Sequence, residues 1–116
     1  MKTTDIHKFT IDYGFGTPKT YNLYLTAEKY QSNDTLAVIA YEPATGDCIT
    51  PEMFDVITVN LPFGEADETH AYIDTNNCPW APELLKEMGV AKPTRKYGHS
   101  GFCKYPLYKF NLEMFK

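Results

Sequence analysis

The chain has 116 residues, 43% of them hydrophobic and 22% charged, with a formal net charge of −4. That length fits a single domain, 1–116, and the composition is too apolar and too mixed in charge for intrinsic disorder. Three cysteines are too few, and odd in number, for a disulfide scaffold, so free thiols in a reducing, cytoplasmic setting are expected.

The first residues, Met1-Lys2-Thr3-Thr4-Asp5, have no apolar core and do not read as a signal peptide. Phe9, Ile11 and Tyr13 alternate with Thr10 and Asp12, and Gly14-Phe15-Gly16-Thr17-Pro18 then turns the chain. Beyond the turn, Tyr21, Leu23 and Leu25 define one face of a second strand, which predicts a hairpin. Ser32-Asn33-Asp34 turns again. The run Leu36-Ala37-Val38-Ile39-Ala40-Tyr41 has no polar face, as in a central strand covered on both sides. It is the longest apolar run and falls far short of the ~20 residues of a membrane span. Pro43 to Asp47 makes a turn, the next strand ends in Val56 to Leu61 before Pro62, and a short strand follows around Ala71 to Asp74.

One helix is predicted, over about 79–89. Asn76-Asn77-Cys78-Pro79 offers capping groups, and Trp80, Leu84, Leu85 and Met88 recur at helical spacing. Gly89 stands where a left-handed terminal residue belongs, and Lys92-Pro93 prevents continuation. Gly98 to Gly101 turns the chain into a last pair of strands, Phe102 to Tyr105 and Tyr108 to Leu112, split by Pro106. The basic, aromatic segment Thr94 to Gly101 reads either as a mobile contact for phosphate or an acidic protein surface or as a solvated loop. The expected fold class is α+β: a twisted antiparallel β-sheet of about 5–7 strands with one short helix packed on one face.

Charge is unevenly placed. Residues 1–90 carry 14 acids and 5 bases, whereas residues 91–116 carry 6 bases and 1 acid. The densest acids are Glu65, Asp67, Glu68 and Asp74, and no Lys or Arg lies between Pro62 and Glu83. Such a split either neutralises itself within the fold or forms a two-signed surface that steers a charged partner. Aromatic residues make up 15% of the chain, and tyrosine outnumbers phenylalanine. Most such rings pack sheets, but rings at a core boundary also serve interfaces.

No catalytic signature is present. His70, Cys78, His99 and Cys103 are residue types that bind zinc, yet neither a C-x-x-C nor an H-x-x-x-H pair occurs, so no metal and no cofactor is expected. Gly14-Phe15-Gly16 lacks the third glycine and the helix of a phosphate cradle. Glu65, Asp67 and Glu68 sit in a polar loop that reads as solvated, and enzymatic activity is not expected. Asp74-Thr75-Asn76-Asn77-Cys78-Pro79-Trp80 reads either as a helix-capping turn anchored by Trp80 or as a recognition loop.

Several segments together resemble one family. They are Thr58-Val59-Asn60-Leu61-Pro62, Ala71-Tyr72-Ile73-Asp74-Thr75-Asn76-Asn77, Glu87 to Thr94, and Ser100-Gly101-Phe102-Cys103 with Tyr108-Lys109-Phe110-Asn111-Leu112. The pattern is similar to a domain-of-unknown-function family of small bacterial proteins found on conjugative elements, plasmids and prophages. The resemblance runs from Leu36 to Leu112 and brings no accepted activity and no site residues with it. It implies an accessory protein of a mobile genetic element, such as an inhibitor of anti-CRISPR or antirestriction type. The charge split and the aromatic excess without catalytic geometry add the expectation of a non-enzymatic protein-binding module, with a partner such as a host nuclease or CRISPR effector. Candidate partner-binding residues are Glu65, Asp67, Glu68, Asp74, Asn76, Asn77, Trp80, Arg95, Lys96 and Tyr97. Two alternatives are a structural protein stabilised by zinc through Cys78, His99 and Cys103, and a single-stranded nucleic-acid binder using Tyr97, Phe102, Tyr105 and Arg95.

Overall fold

Alternation in the N-terminal third produces paired strands in the computed structural model, which describes residues 2–62 and 64–116. Strands β1 (Lys2–Thr3), β2 (His7–Ile11), β3 (Lys19–Lys29), β4 (Leu36–Glu42) and β5 (Glu52–Val56) form a five-stranded antiparallel sheet. The predicted hairpin is β2 with β3, in a register that sets Phe9 opposite Tyr21. β1 and β2 follow one another along β3, joined by Thr4, whose hydroxyl accepts the Leu25 N–H at 2.9 Å. The apolar run forms β4, a central strand between β3 and β5.

The remaining strands separate into a second antiparallel sheet, a division that periodicity does not reveal. It contains β6 (Thr58–Val59), β7 (His70–Ile73), β8 (Ala91–Ser100) and β9 (Cys103–Phe110), in the order β6-β7-β9-β8. The two sheets are joined at Ile57, whose N–H donates to the Val38 carbonyl and whose carbonyl accepts the Asp74 N–H. A second tie runs from the Leu36 N–H to the Asp67 carbonyl at 2.8 Å.

Helix α1 (Ala81–Met88) closes the main core. Its buried face, Ala81, Leu84 and Leu85, packs with Leu23, Leu25 and Val38 of the first sheet and Ile73, Ala91 and Phe110 of the second. Gly89 ends the helix with φ 69°, and its N–H returns to the Leu85 carbonyl at 3.0 Å, as expected of a left-handed terminal residue. The start differs from the expectation. Trp80 is the N-cap and makes no side-chain capping hydrogen bond; Asp74 instead organises the preceding turn, accepting from the Asn77 side-chain amide at 2.9 Å. Trp80 sits in an aromatic cluster, its ring centroid 5.5 Å from Phe54 and 6.3 Å from Phe9.

Two further expectations are corrected. Thr94 to Ser100 is not a loop but part of the edge strand β8, which carries a bulge between Pro93 and Tyr97. Arg95 occupies the bulge with φ 72°, and the Thr94 hydroxyl fills the gap in the ladder by donating to the Leu107 carbonyl at 2.8 Å. Nor does Pro106 split the last strand. β9 runs unbroken through it, and Pro106 lies just past Leu107, the last β9 residue that β7 pairs.

Candidate functional site

Beyond Leu107, β7 no longer accompanies β9, so β8 and β9 continue as a two-stranded ribbon. Gly101 (φ 60°) and Phe102 turn it, the positive φ falling on the glycine that a two-residue hairpin turn calls for. Register gives the ribbon two different faces. Gly98 pairs with Tyr105 and Ser100 with Cys103 on one; Tyr97 pairs with Pro106 and His99 with Lys104 on the other.

The first face is covered. Leu61, Tyr72, Tyr105 and Leu107 form a small second core there, separate from the main one, with Ala66 and Cys103 at its margin. The Tyr72 ring lies between the backbones of Gly64 and Gly98, and its hydroxyl accepts the Glu65 N–H at 2.8 Å. The second face is open. Lys104 Nζ stands 4.1 Å from the centre of the exposed Tyr97 ring, a cation–π contact, and Phe102 at the tip is wholly exposed. Where this face meets α1, Pro82, Glu83, Lys86, Lys92, Pro93 and Tyr108 line an open hollow of ≈ 490 Å³. An aromatic, cationic ribbon beside an apolar hollow is a surface on which a folded partner can seat.

The acidic candidates occupy the loop over the covered face. Glu65 meets Lys96 at 3.3 Å, and Asp67 meets His70 at 2.9 Å. With Thr94 and Leu107 these four line a second cleft of ≈ 270 Å³. Acidic and basic segments therefore touch, although most of the ribbon's cations remain outside the contact. Glu68 is exposed nearby. Asp74, Asn76, Asn77 and Trp80 form a different constellation before the helix and do not join Glu65, Asp67, Arg95, Lys96 and Tyr97. The contribution of Lys104, Pro93 and Tyr108 was not anticipated; a turn placed at Gly101-Phe102 would have set His99 opposite Lys104, the signal that could have found it.

Asp67 fixes the geometry of this loop. Partial burial works against its charge, but the Thr69 N–H, the His70 ring and the His70 N–H donate to the carboxylate and together hold it down at about 2, against the usual 3.8. A carboxyl lowered in this way stabilises the fold fully above its unfolded pKa, and that contribution disappears as pH falls through the folded value. Asp67→Asn keeps an acceptor in the turn, so its stability should track wild type at the bottom of the window and fall behind between about pH 2 and pH 4 as pH rises. Acid denaturation followed by circular dichroism tests this; parallel profiles for the two proteins would contradict it.

The four metal candidates do not converge. Cys78 is in the main core, Cys103 borders the second core, His99 is exposed on the ribbon, and His70 engages Asp67. Among the described residues no group of three His, Cys, Asp or Glu could hold a metal ion. Burial, with the Asp55 and Asp74 carboxylates, pushes the Cys78 thiol up to about 12. Cys48 and Cys103 are half-buried. In the folded protein at pH 8, Cys78 should react with an aromatic disulfide reagent at least ~10³-fold more slowly than a free thiol, because its thiolate is correspondingly rare. Denaturant should expose it. Rapid labelling of all three cysteines in the native state would contradict this placement.

A family model described as "Domain of unknown function (DUF4313)" matches residues 24–116. A polyketide synthase–nonribosomal peptide synthetase of Pyricularia grisea is 30% identical over 84 residues, 72% of this chain. The chain spans 2% of that protein's length. No solved structure matches it. Among the described residues, no helix is long and apolar enough to cross a membrane. The chain belongs to the DUF4313 family.

Proposed function

We propose that this member of the DUF4313 family is a non-enzymatic protein-binding module, an accessory protein of a mobile genetic element that docks on a defence nuclease and inhibits it. The observation that carries the binding reading is the open ribbon face, where Lys104 stacks on the exposed Tyr97 ring, Phe102 stands wholly exposed at the tip, and the hollow beside α1 lies at the base. Aromatic rings with a neighbouring cation are the residue types that dominate binding energy when a partner desolvates them. The choice of a defence nuclease, a CRISPR effector or a restriction enzyme, is supported by the family resemblance and by the two-signed charge pattern. It works in the cytoplasm of its bacterial host.

The test is affinity capture with the purified protein from a lysate of a host carrying such nucleases, followed by a DNA-protection assay with each captured nuclease. Wild type should retain a nuclease and slow cleavage, and Phe102→Ala and Tyr97→Ala should each weaken retention by about tenfold or more, the scale of a single aromatic anchor. No captured nuclease, or protection unaffected by both variants, would overturn the reading.

A second reading, single-stranded nucleic-acid binding, is favoured by the same pairing of rings and cations on one ribbon. Tyr105, one of its expected stacking residues, is buried, which leaves Tyr97 and Phe102 to stack. This reading predicts affinity for an oligonucleotide that falls steeply with salt.

A further inference from the structure

Register across the second sheet creates a further charge arrangement, in which Lys92, at the margin of the hollow beside α1, is one member. Lys92 of β8 lies directly opposite Lys109 of β9, and Lys109 lies directly opposite His70 of β7. Residues opposed in this way share a face of the sheet, so Lys92, Lys109 and His70 form one row across three strands. Two ammonium groups on directly opposed positions repel each other. Neither lysine has an acidic side chain within ion-pair distance among the described residues, whereas Lys96 on the same strand is paired with Glu65. The Asp67 carboxylate is engaged by the His70 Nδ1 at 2.9 Å.

The two lysines open onto a hollow of ≈ 540 Å³ that Thr69, Asn111 and Glu113 also line. Asn111 accepts the Glu113 N–H through its side-chain oxygen, which leaves its amide NH₂ to donate. The hollow thus offers two formal positive charges and a neutral donor, opposed by the single carboxylate of Glu113. It lies on the side of the sheet away from the Tyr97 face.

We infer that Lys92 and Lys109 form a binding site for a phosphate dianion, inorganic or carried as a monoester. A dianion placed between the two ammonium groups matches their summed charge and turns a repulsive pair into two charge-assisted contacts. Lysine binds phosphate as a point charge and needs no planar fork to do so. A phosphodiester, with one negative charge, leaves one of the two ammonium groups uncompensated.

The test is a titration of ¹⁵N-labelled protein at pH 8 with inorganic phosphate, at ionic strength held constant by chloride. Amide shifts of Lys92, Lys109 and Asn111 should move and saturate, and a chloride series should not reproduce them. Lys92→Gln and Lys109→Gln should each weaken phosphate affinity by about tenfold, the loss of one charge-assisted contact. Both positions are exposed, so the variants should fold, and Lys19→Gln, an equal charge change at the far end of β3, should leave the titration unchanged. Shifts that do not saturate, that chloride reproduces, or that persist in both variants would overturn the proposal. Tighter binding of a (dT)12 oligonucleotide to the same amides would overturn it in favour of a nucleic-acid backbone.

Discussion

Leu84→Ala lowers the free energy of unfolding by about 2–5 kcal/mol, the range for emptying a fully enclosed leucine site. Leu84 has no solvent exposure and is surrounded by side chains of both sheets as well as its own helix. The cavity would therefore open at the junction of three elements, and rigid strands on two sides limit how far the site can collapse. An eight-residue helix is marginal alone, so its order depends on the apolar face that this substitution erodes. Against a total stability of roughly 5–15 kcal/mol for a domain of this kind, the loss is a large fraction. Urea denaturation should show a lower midpoint with an unchanged slope. A shift under ~1 kcal/mol would mean that the helix is not packed between the sheets as described.

Gly98→Ala lowers stability by about 1–3 kcal/mol, although the methyl group is added to a strand that is otherwise solvent-exposed on both flanking residues. An added Cβ would stand 2.6 Å from Leu61 Cδ1 and 2.7 Å from Tyr72 Cε1. The leucine methyl can rotate away. The tyrosine ring cannot, because Gly64 lies against its other side and the Glu65 N–H holds its hydroxyl. Loss of glycine's freedom in the unfolded chain returns about 0.4–1 kcal/mol, too little to reverse the sign. Gly46→Ala is the matched control, since nothing lies within 4 Å of the position its Cβ would take. Thermal unfolding of both variants separates the steric cost from the general effect of replacing glycine. Equal stability for Gly98→Ala and wild type would mean that the Tyr72 ring is not clamped.

Local pattern was enough for some elements and silent on others. The β2–β3 hairpin, the central place of β4 and the termination of α1 at Gly89 are all short-range consequences of residue order, and each is present. The expected cover on both sides of β4 is met on one face only, where Leu36, Val38 and Ala40 enter the core while Ile39 and Tyr41 opposite are half-buried. β8 escaped detection because an edge strand has little to bury. Its burial pattern shows no alternation, and the bulge at Arg95 changes which residues face inward. Where the strand does pack closely, the inward residue is Gly98, which carries no hydrophobic signal. The separation into two sheets depends on partners far apart in the chain, such as Ile57 with Val38 and Asp74. Residue types at the candidate site were visible as a basic, aromatic segment, but their grouping was not. Tyr97 joins Lys104 on one face while Lys96, its immediate neighbour, turns to Glu65 on the other.

The outer edge of the first sheet, at β1, is clasped by a residue from the other end of the sequence. The Thr3 N–H donates to the Lys116 carbonyl at 3.1 Å, and the Lys116 N–H donates to the Thr3 carbonyl at 2.8 Å. Phe115, beside that junction, is buried against Phe110 in the main core. A contact spanning almost the whole sequence carries the largest loop-closure cost unless intervening contacts have already formed, so it is expected late in the folding reaction. With antiparallel pairing dominating the rest of the molecule, folding belongs to the roughly millisecond-to-second regime of non-local β topologies rather than the microsecond regime of helical bundles. The Thr3–Lys116 clasp then acts mainly on the rate at which the native edge reopens, and only weakly on the rate at which the core first assembles.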